Sequence, residues 1–108
     1  MKTVITSSGD NLDALFDRRF GRTEWFCIYD EDARSTAFLK NVNTNAGSDA
    51  GEKAAEMMIS MNVNKVISGD FGLLAEAILD ASNIQMAILP DPNLTIADII
   101  ERLSSARR

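Results

Sequence analysis

The sequence predicts an α/β chain with a five-stranded mixed sheet and helices on both faces. Three observations predict it. The N-terminal segments are short, rich in β-branched and aromatic residues, and bounded by polar turns. From Ala54 onward, apolar residues recur at helical spacing in three separate segments. Short apolar runs, Val66-Ile67 and Ile84 to Leu89, lie between those helical segments, which is the pattern of β-α-β units.

Taken in order, Lys2 to Thr6 is a β-branched run ended by Ser7-Ser8-Gly9-Asp10, and reads as the first strand. Asn11 to Arg22 holds Leu12, Leu15 and Phe16 at helical spacing but is dense in charge, so a loop with at most one helical turn is expected. Glu24 to Tyr29 is the second strand. Its Trp25, Cys27 and Tyr29 face one side and Phe26 and Ile28 the other, so both faces should be covered. Asp30-Glu31-Asp32 makes a polar turn, and Arg34 to Val42 returns as an antiparallel third strand. Ala54, Met57, Met58 and Met61 mark the first helix, which Asp49 and Glu52 are placed to cap reciprocally. The methionines read as core filler rather than ligands. A fourth strand around Val66-Ile67 leads to a second helix with the stripe Phe71, Leu74, Ala75 and Ile78. Ile84 to Leu89 is the fifth strand, stopped by Pro90-Asp91-Pro92. The last helix has Thr95 as its cap, Asp98 at the third position, and Leu94 with Ile99 as a hydrophobic staple. Ile96, Ile99, Ile100 and Leu103 supply its buried face.

Strands joined through a helix run parallel, so the third, fourth and fifth share a direction. With the first three as a meander, the first strand shares it too, and the order becomes 3-2-1-4-5. The loops after strands one, three, four and five then emerge at one edge. The order reverses between strands one and four, which is where open α/β sheets bind ligands. Ser7-Ser8-Gly9-Asp10 and Ser68-Gly69-Asp70-Phe71-Gly72 are expected to meet there, with the stretch from Asn43 to Met58 on the same edge. Small residues, backbone N–H groups and helix N-termini in these loops suit an anion. The candidate contacts are Ser8, Asp10, Gly69 and Asp70 beside the switch point, and Asn45, Gly47, Ser48 and Gly51 in the loop entering the first helix. Arg19 and Arg22 join them from the one local cationic group, which also holds Arg18. A structural reading stands beside each: the arginines pair with Asp13 and Asp17, Gly47 makes a turn, and Gly51 permits close helix–sheet packing.

Composition narrows the functional classes. The 108 residues, 45% of them apolar, suit one domain spanning 1–108. A net charge of -5, with no basic run before Arg107-Arg108, argues against nucleic acid as a partner. One cysteine and no histidine rule out an internal disulfide and a Cys/His zinc site within one chain. Cys27, inside WFCIY, reads as a reduced core residue. The N-terminus is too short and polar for a signal peptide, and no run approaches the ~20 apolar residues of a membrane span, so a cytoplasmic protein is expected. The span from Gly47 to Gly51 lacks the lysine of a phosphate-binding Walker loop, and Asp70-Phe71-Gly72 has none of the companion motifs of a kinase. A two-metal nuclease needs converging carboxylates, yet Lys2 to Ser7 has none. A hydrolytic triad lacks its usual histidine base. No catalytic residue is assigned, and a non-enzyme is expected.

One resemblance covers nearly the whole chain. Its residues are Asp17-Arg18-Arg19-Phe20-Gly21-Arg22 between the first strand and an aromatic strand, and Asn41 at the end of the third. A small-residue loop then enters a helix over Ala46 to Ala55, a strand–Gly–helix follows from Val66 to Leu74, and a Thr-capped helix runs from Thr95 to Leu103. In order and spacing these resemble the dinitrogenase iron–molybdenum cofactor-binding family, with its NifX/NifY-type carriers, the C-terminal part of NifB and many small stand-alone proteins. The resemblance implies a ribonuclease H-like fold and a non-catalytic protein that binds iron–molybdenum cofactor or another metal–sulfur cluster in transit between donor and acceptor proteins. Related small proteins hold a mixed molybdenum–copper sulfide.

Many members carry a histidine a few residues before the glycine matched by Gly51. Here Gly47 stands about there, and no other histidine replaces it. Direct metal ligation therefore does not carry over. The holding that the resemblance implies is weak, through arginines, backbone N–H groups and carboxylates. The alternative is an interaction or regulatory module of the same fold that has lost metal ligation.

Overall fold

In a computed structural model that describes residues 1–44, 47–91 and 93–106, each apolar run of the sequence becomes an element close to its expected place. The strands are β1 (Lys2–Ser7), β2 (Trp25–Asp30), β3 (Ser35–Lys40), β4 (Lys65–Ser68) and β5 (Gln85–Ile88). The helices are α1 (Ala50–Ser60), entered through a 3-10 turn at Gly47–Asp49, α2 (Leu73–Ala81) and α3 (Ile96–Ala106).

The sheet order is β3-β2-β1-β4-β5, as the connections require. β1 pairs antiparallel with β2 and parallel with β4; β2–β3 is antiparallel and β4–β5 parallel. Four strands therefore end at one edge. The register places Val4 beside Ile28 and Val66, and Ile5 beside Cys27 and Ile67, so each face of the central strands is continuously apolar. On one face Val4, Phe26 and Val66 pack with Ala54, Ala55 and Met58 of α1 and Ala75 and Leu79 of α2. On the other, Ile5, Cys27 and Ile67 pack with Ile96 and Ile99 of α3. The expected two-sided burial of β2 is present, and Met57 and Met61 pack at the margin of the first core.

Two local expectations differ. The stripe of α2 is Ala75, Ile78 and Leu79, while Leu74 is exposed, because Phe71 precedes the helix and does not set its phase. Asp49 is the N-cap residue of α1 but makes no side-chain cap bond. The 3-10 turn leaves it at φ -90°, ψ 0°, away from the extended backbone that points a cap side chain back at the helix. β3 is an edge strand, as the order requires, with Ala37 and Leu39 exposed. At α3 the expected cap is made reciprocally: Thr95 N donates to Asp98 Oδ2 at 3.0 Å, and Asp98 N to Thr95 Oγ1 at 3.1 Å.

The loop from Ser8 to Glu24 has no helix or strand of its own, as its charge density suggested, yet it is firmly anchored. Its first part lies along the start of α3, with Ile96 N on Ala14 O and Ala97 N on Leu12 O, both 2.9 Å. Phe16 enters the α3-side core, while Phe20 enters the opposite one. Residues 17–19 must therefore pass over the end of the sheet.

Candidate functional site

The switch point between β1 and β4 is occupied by the chain itself. Asp17 N donates to Thr6 O, Gly69 N to Arg18 O, and Phe20 N to Asp70 O, at 3.0, 3.0 and 3.1 Å. Thr6 Oγ1 donates to the Asp17 carbonyl and lies 2.9 Å from Ser68 Oγ, which in turn reaches Arg18 O at 3.3 Å. Thr6, Ser7 and Ser68, buried at the strand ends, spend their hydroxyls on these backbone partners and their neighbours rather than on a cavity. The strap 17–20 thus separates two loops that the strand order alone brings together.

The open cleft is displaced to the α1/α2 side of the strap. It encloses about 380 Å³ between Arg19–Arg22, Gly47 with the first turn of α1, and Asp70 with the first turn of α2. Of the sequence candidates, Arg19, Arg22, Gly47, Gly51 and Asp70 line it together. Gly69 lies beneath the strap, against Arg18. Ser8 and Asp10 are not among the described lining residues. Asn45 and the side chain of Ser48 lie outside the described residues.

Two guanidinium groups and two carboxylates, Glu52 and Asp70, line the cleft. Arg19 forks onto Asp17, Nε to Oδ1 at 3.1 Å and Nη2 to Oδ2 at 3.0 Å. That hydrogen bond and the carboxylate charge hold its pKa above even the ordinary arginine value. Its side chain remains 62% exposed, so the pair leaves part of the guanidinium turned to solvent. Arg22 meets neutral acceptors instead: Nη1 donates to Thr44 O at 3.0 Å and Nη2 to Gly47 O at 2.6 Å. The expected pairing of the arginines is thus met at Asp17 for Arg19 alone.

Both helices that open on the cleft lack a side-chain cap, at Asp49 and at Gly72. The capped helix, α3, packs on the other face of the sheet. First-turn N–H groups have no acceptor within the helix and carry partial positive charge. Gly21 brings the strap onto α1 directly: a Cβ there would sit 2.6 Å from Gly51 N and 2.7 Å from Gly51 Cα. Gly51 therefore packs against the strap and, at 3.5 Å for a built Cβ, against Ala75 of α2. The close packing expected of it is real, but its partners are not the sheet. Gly47, at φ +69°, makes the turn expected of it.

Among the described residues no group of three or more His, Cys, Asp or Glu could hold a metal ion. Cys27 is fully buried in the α3-side core, and burial pushes its thiol up to about 12. The cleft offers charge and hydrogen-bond donors, not soft ligands. Sequence reasoning missed Glu52 as a lining residue, having placed it in a cap, and missed Leu73 and Leu74, which stand 89% and 54% exposed on the rim. The Gly72-Leu73-Leu74 step was a signal for the latter, since two adjacent leucines cannot both join a narrow helix stripe. No helix of the described residues is long and apolar enough to cross a membrane.

A family profile described as dinitrogenase iron-molybdenum cofactor matches residues 1–106. Among solved structures, the apo form of the orange protein from Desulfovibrio gigas is 25% identical, with a TM-score of 0.87, covering 98% of this chain and 88% of that one. The NMR structure of a candidate NifB protein from Thermotoga is also 25% identical, with a TM-score of 0.81 and coverage of 98% and 89%. No curated protein sequence matches.

Proposed function

The chain belongs to the dinitrogenase iron–molybdenum cofactor family, and from that premise we propose that it is a non-catalytic carrier or accessory protein whose cargo is an anionic metal–sulfur cluster. The cleft between the strap and the N-termini of α1 and α2 is the proposed seat. One observation carries the reading: two uncapped helix starts and two guanidinium groups converge on a single cleft. The residues present fit a cargo held by charge and hydrogen bonds. Among the described residues, no group fits direct ligation of a metal. Arg19 and Arg22 would supply charge, and the backbone around Gly47 and Gly51 would supply N–H donors. Glu52 and Asp70 oppose an anion, which keeps the holding weak and suits a cargo that must be passed on to an acceptor protein. Cluster donor and acceptor proteins in the cytoplasm are the partners this role requires.

Anaerobic incubation with tetrathiomolybdate, followed by desalting, tests the reading. Wild-type protein is expected to retain the chromophore at low salt and lose it as ionic strength rises. Arg19→Ala and Arg22→Ala should each weaken retention about fivefold, the size of one solvent-exposed hydrogen bond worth ~1 kcal/mol. A wild-type protein that emerges colourless at low salt would reject cargo binding. The exposed Leu73 and Leu74 on the rim favour a second reading, an interaction or regulatory module of the same fold. It predicts a partner in pull-downs that disappears with Leu73→Ser; no reproducible partner would count against it.

A further inference from the structure

We propose that Asn41 is the positioning residue of the cleft, the group that holds its strap wall in register with its α1 wall. The side chain follows β3 directly and is 1% exposed. All its hydrogen bonds go to backbone, and to two different loops. Nδ2 donates to Gly21 O at 3.0 Å and to Thr23 O at 2.9 Å, on either side of Arg22. Oδ1 accepts from Asn43 N at 3.0 Å, in the turn after β3. Both amide hydrogens and the carbonyl are thereby used, and only an amide offers two donors and an acceptor at this reach.

The consequence runs outward from there. With Gly21 and Thr23 fixed, Arg22 leaves the backbone in one direction, and its guanidinium spans to Thr44 O and Gly47 O. Gly47 is the first residue of the 3-10 turn that leads into α1. The same fixation presses Gly21 onto Gly51, in the first turn of α1. Thr23 Oγ1, donating to Ser7 O at 2.9 Å, ties the arrangement to the end of β1. Asn41 belongs to neither apolar core. A buried amide contributes little net stability compared with a well-packed apolar residue. Its distinctive contribution here is the relative position of two loops, with the cleft between them.

The geometry stands on its own, while its consequence for cargo rests on the carrier reading above. The test uses the full chain, with amide spectra, thermal melts and tetrathiomolybdate retention read on the same samples. Asn41→Asp keeps the acceptor and sets a carboxylate against the Gly21 and Thr23 carbonyls. It is expected to shift the amide resonances of Gly21, Arg22, Gly47 and Gly51, leave those of Ile99 and Leu103 in place, and cut retention about tenfold, the loss expected of a loosened site. Ile99→Val, a destabilised control in the opposite core, should lower the melting temperature while leaving those four resonances and retention unchanged. Arg22→Ala probes the outer end should Asn41→Asp not fold: the Gly47 amide is expected to move while the Asn41 side-chain amide, still donating to Gly21 O and Thr23 O, stays. Wild-type resonances at Gly21 and Gly47 in Asn41→Asp, or an Asn41 side-chain amide that moves with Arg22→Ala, would overturn the proposal. Absence of retention in the wild type would instead sink the carrier reading, with the resonances still deciding the role of Asn41.

Discussion

Cys27 and Gly21 show what a single residue's surroundings decide. Cys27 packs in a fully apolar neighbourhood, legible in the run WFCIY, and burial pushes its thiol from 9.0 to about 12. A thiol with a raised native pKa stays protonated when folded and ionises when unfolded. Its effect on stability is therefore absent below about pH 9 and destabilising above it, so stability falls as pH rises from about 9 towards about 12. Thiol titration at pH 8 should find Cys27 unreactive in native protein and fully reactive in urea; rapid native labelling would contradict its burial. Gly21 was visible only as part of a motif, because nothing in local spacing says that it touches Gly51. The contact makes the two glycines unequal. A Cβ at Gly21 would overlap backbone at 2.6 Å, whereas one at Gly51 would meet Ala75 Cβ at an ordinary 3.5 Å. Gly21→Ala is expected to cost about 1–3 kcal/mol by overpacking. Gly51→Ala should be neutral, or stabilising by up to ~1 kcal/mol from helix propensity. Urea denaturation ranks the two, and the reverse order would refute the strap–helix contact.

Elements differ in how much of them their own sequence specifies. α3 carries Thr95, Asp98 and the pair Leu94 and Ile99 within one turn, and the structure uses all four as read. α1 carries a similar pattern in Asp49 and Glu52, but it is entered through a 3-10 turn, and Asp49 makes no side-chain cap bond. Asp49 sits at the end of a 3-10 turn whose first residue is held by Arg22, a contact between distant segments that no local pattern encodes. The phase of α2 departs from its apparent stripe for a related reason: Phe71 is buried from the loop before the helix, not by helical spacing. Thr95→Ala is therefore expected to destabilise the protein by about 1 kcal/mol, read as a shift in the urea midpoint. The Thr95 backbone N–H, followed by its hydroxyl contact, lowers the Asp98 pKa. A carboxyl with a depressed native pKa contributes stability that is present above its unfolded value and lost as pH falls through the lower folded one. The acid limb of the stability profile should flatten in Asp98→Asn. An unchanged acid limb would mean that the cap bond is not made in solution.

At the scale of the whole molecule, the sheet order was legible because connection length and crossover geometry leave few alternatives. The site was legible only in part. Strand order points to the carboxyl edge, and five of the candidate residues, Arg19, Arg22, Gly47, Gly51 and Asp70, line one cleft there. Strand order cannot say that Phe16 and Phe20 anchor in opposite cores and draw residues 17–19 across the switch point. The charge density of that segment hid the two anchors. The strap also bears on how the molecule holds together, because it adds backbone bonds between β1 and β4 to those of the sheet and fastens both cores to the same strand ends. The two cores should then unfold together. Met58→Ala on one face and Ile99→Ala on the other are each expected to cost about 2–5 kcal/mol. Either loss should appear equally in far-UV circular dichroism, which follows all three helices, and in the fluorescence of half-buried Trp25, at the start of β2. Coincident urea transitions with an unchanged slope are the expected result in both variants. If Met58→Ala moves the dichroism midpoint and leaves that of Trp25 in place, the faces unfold separately, and the strap does not couple them.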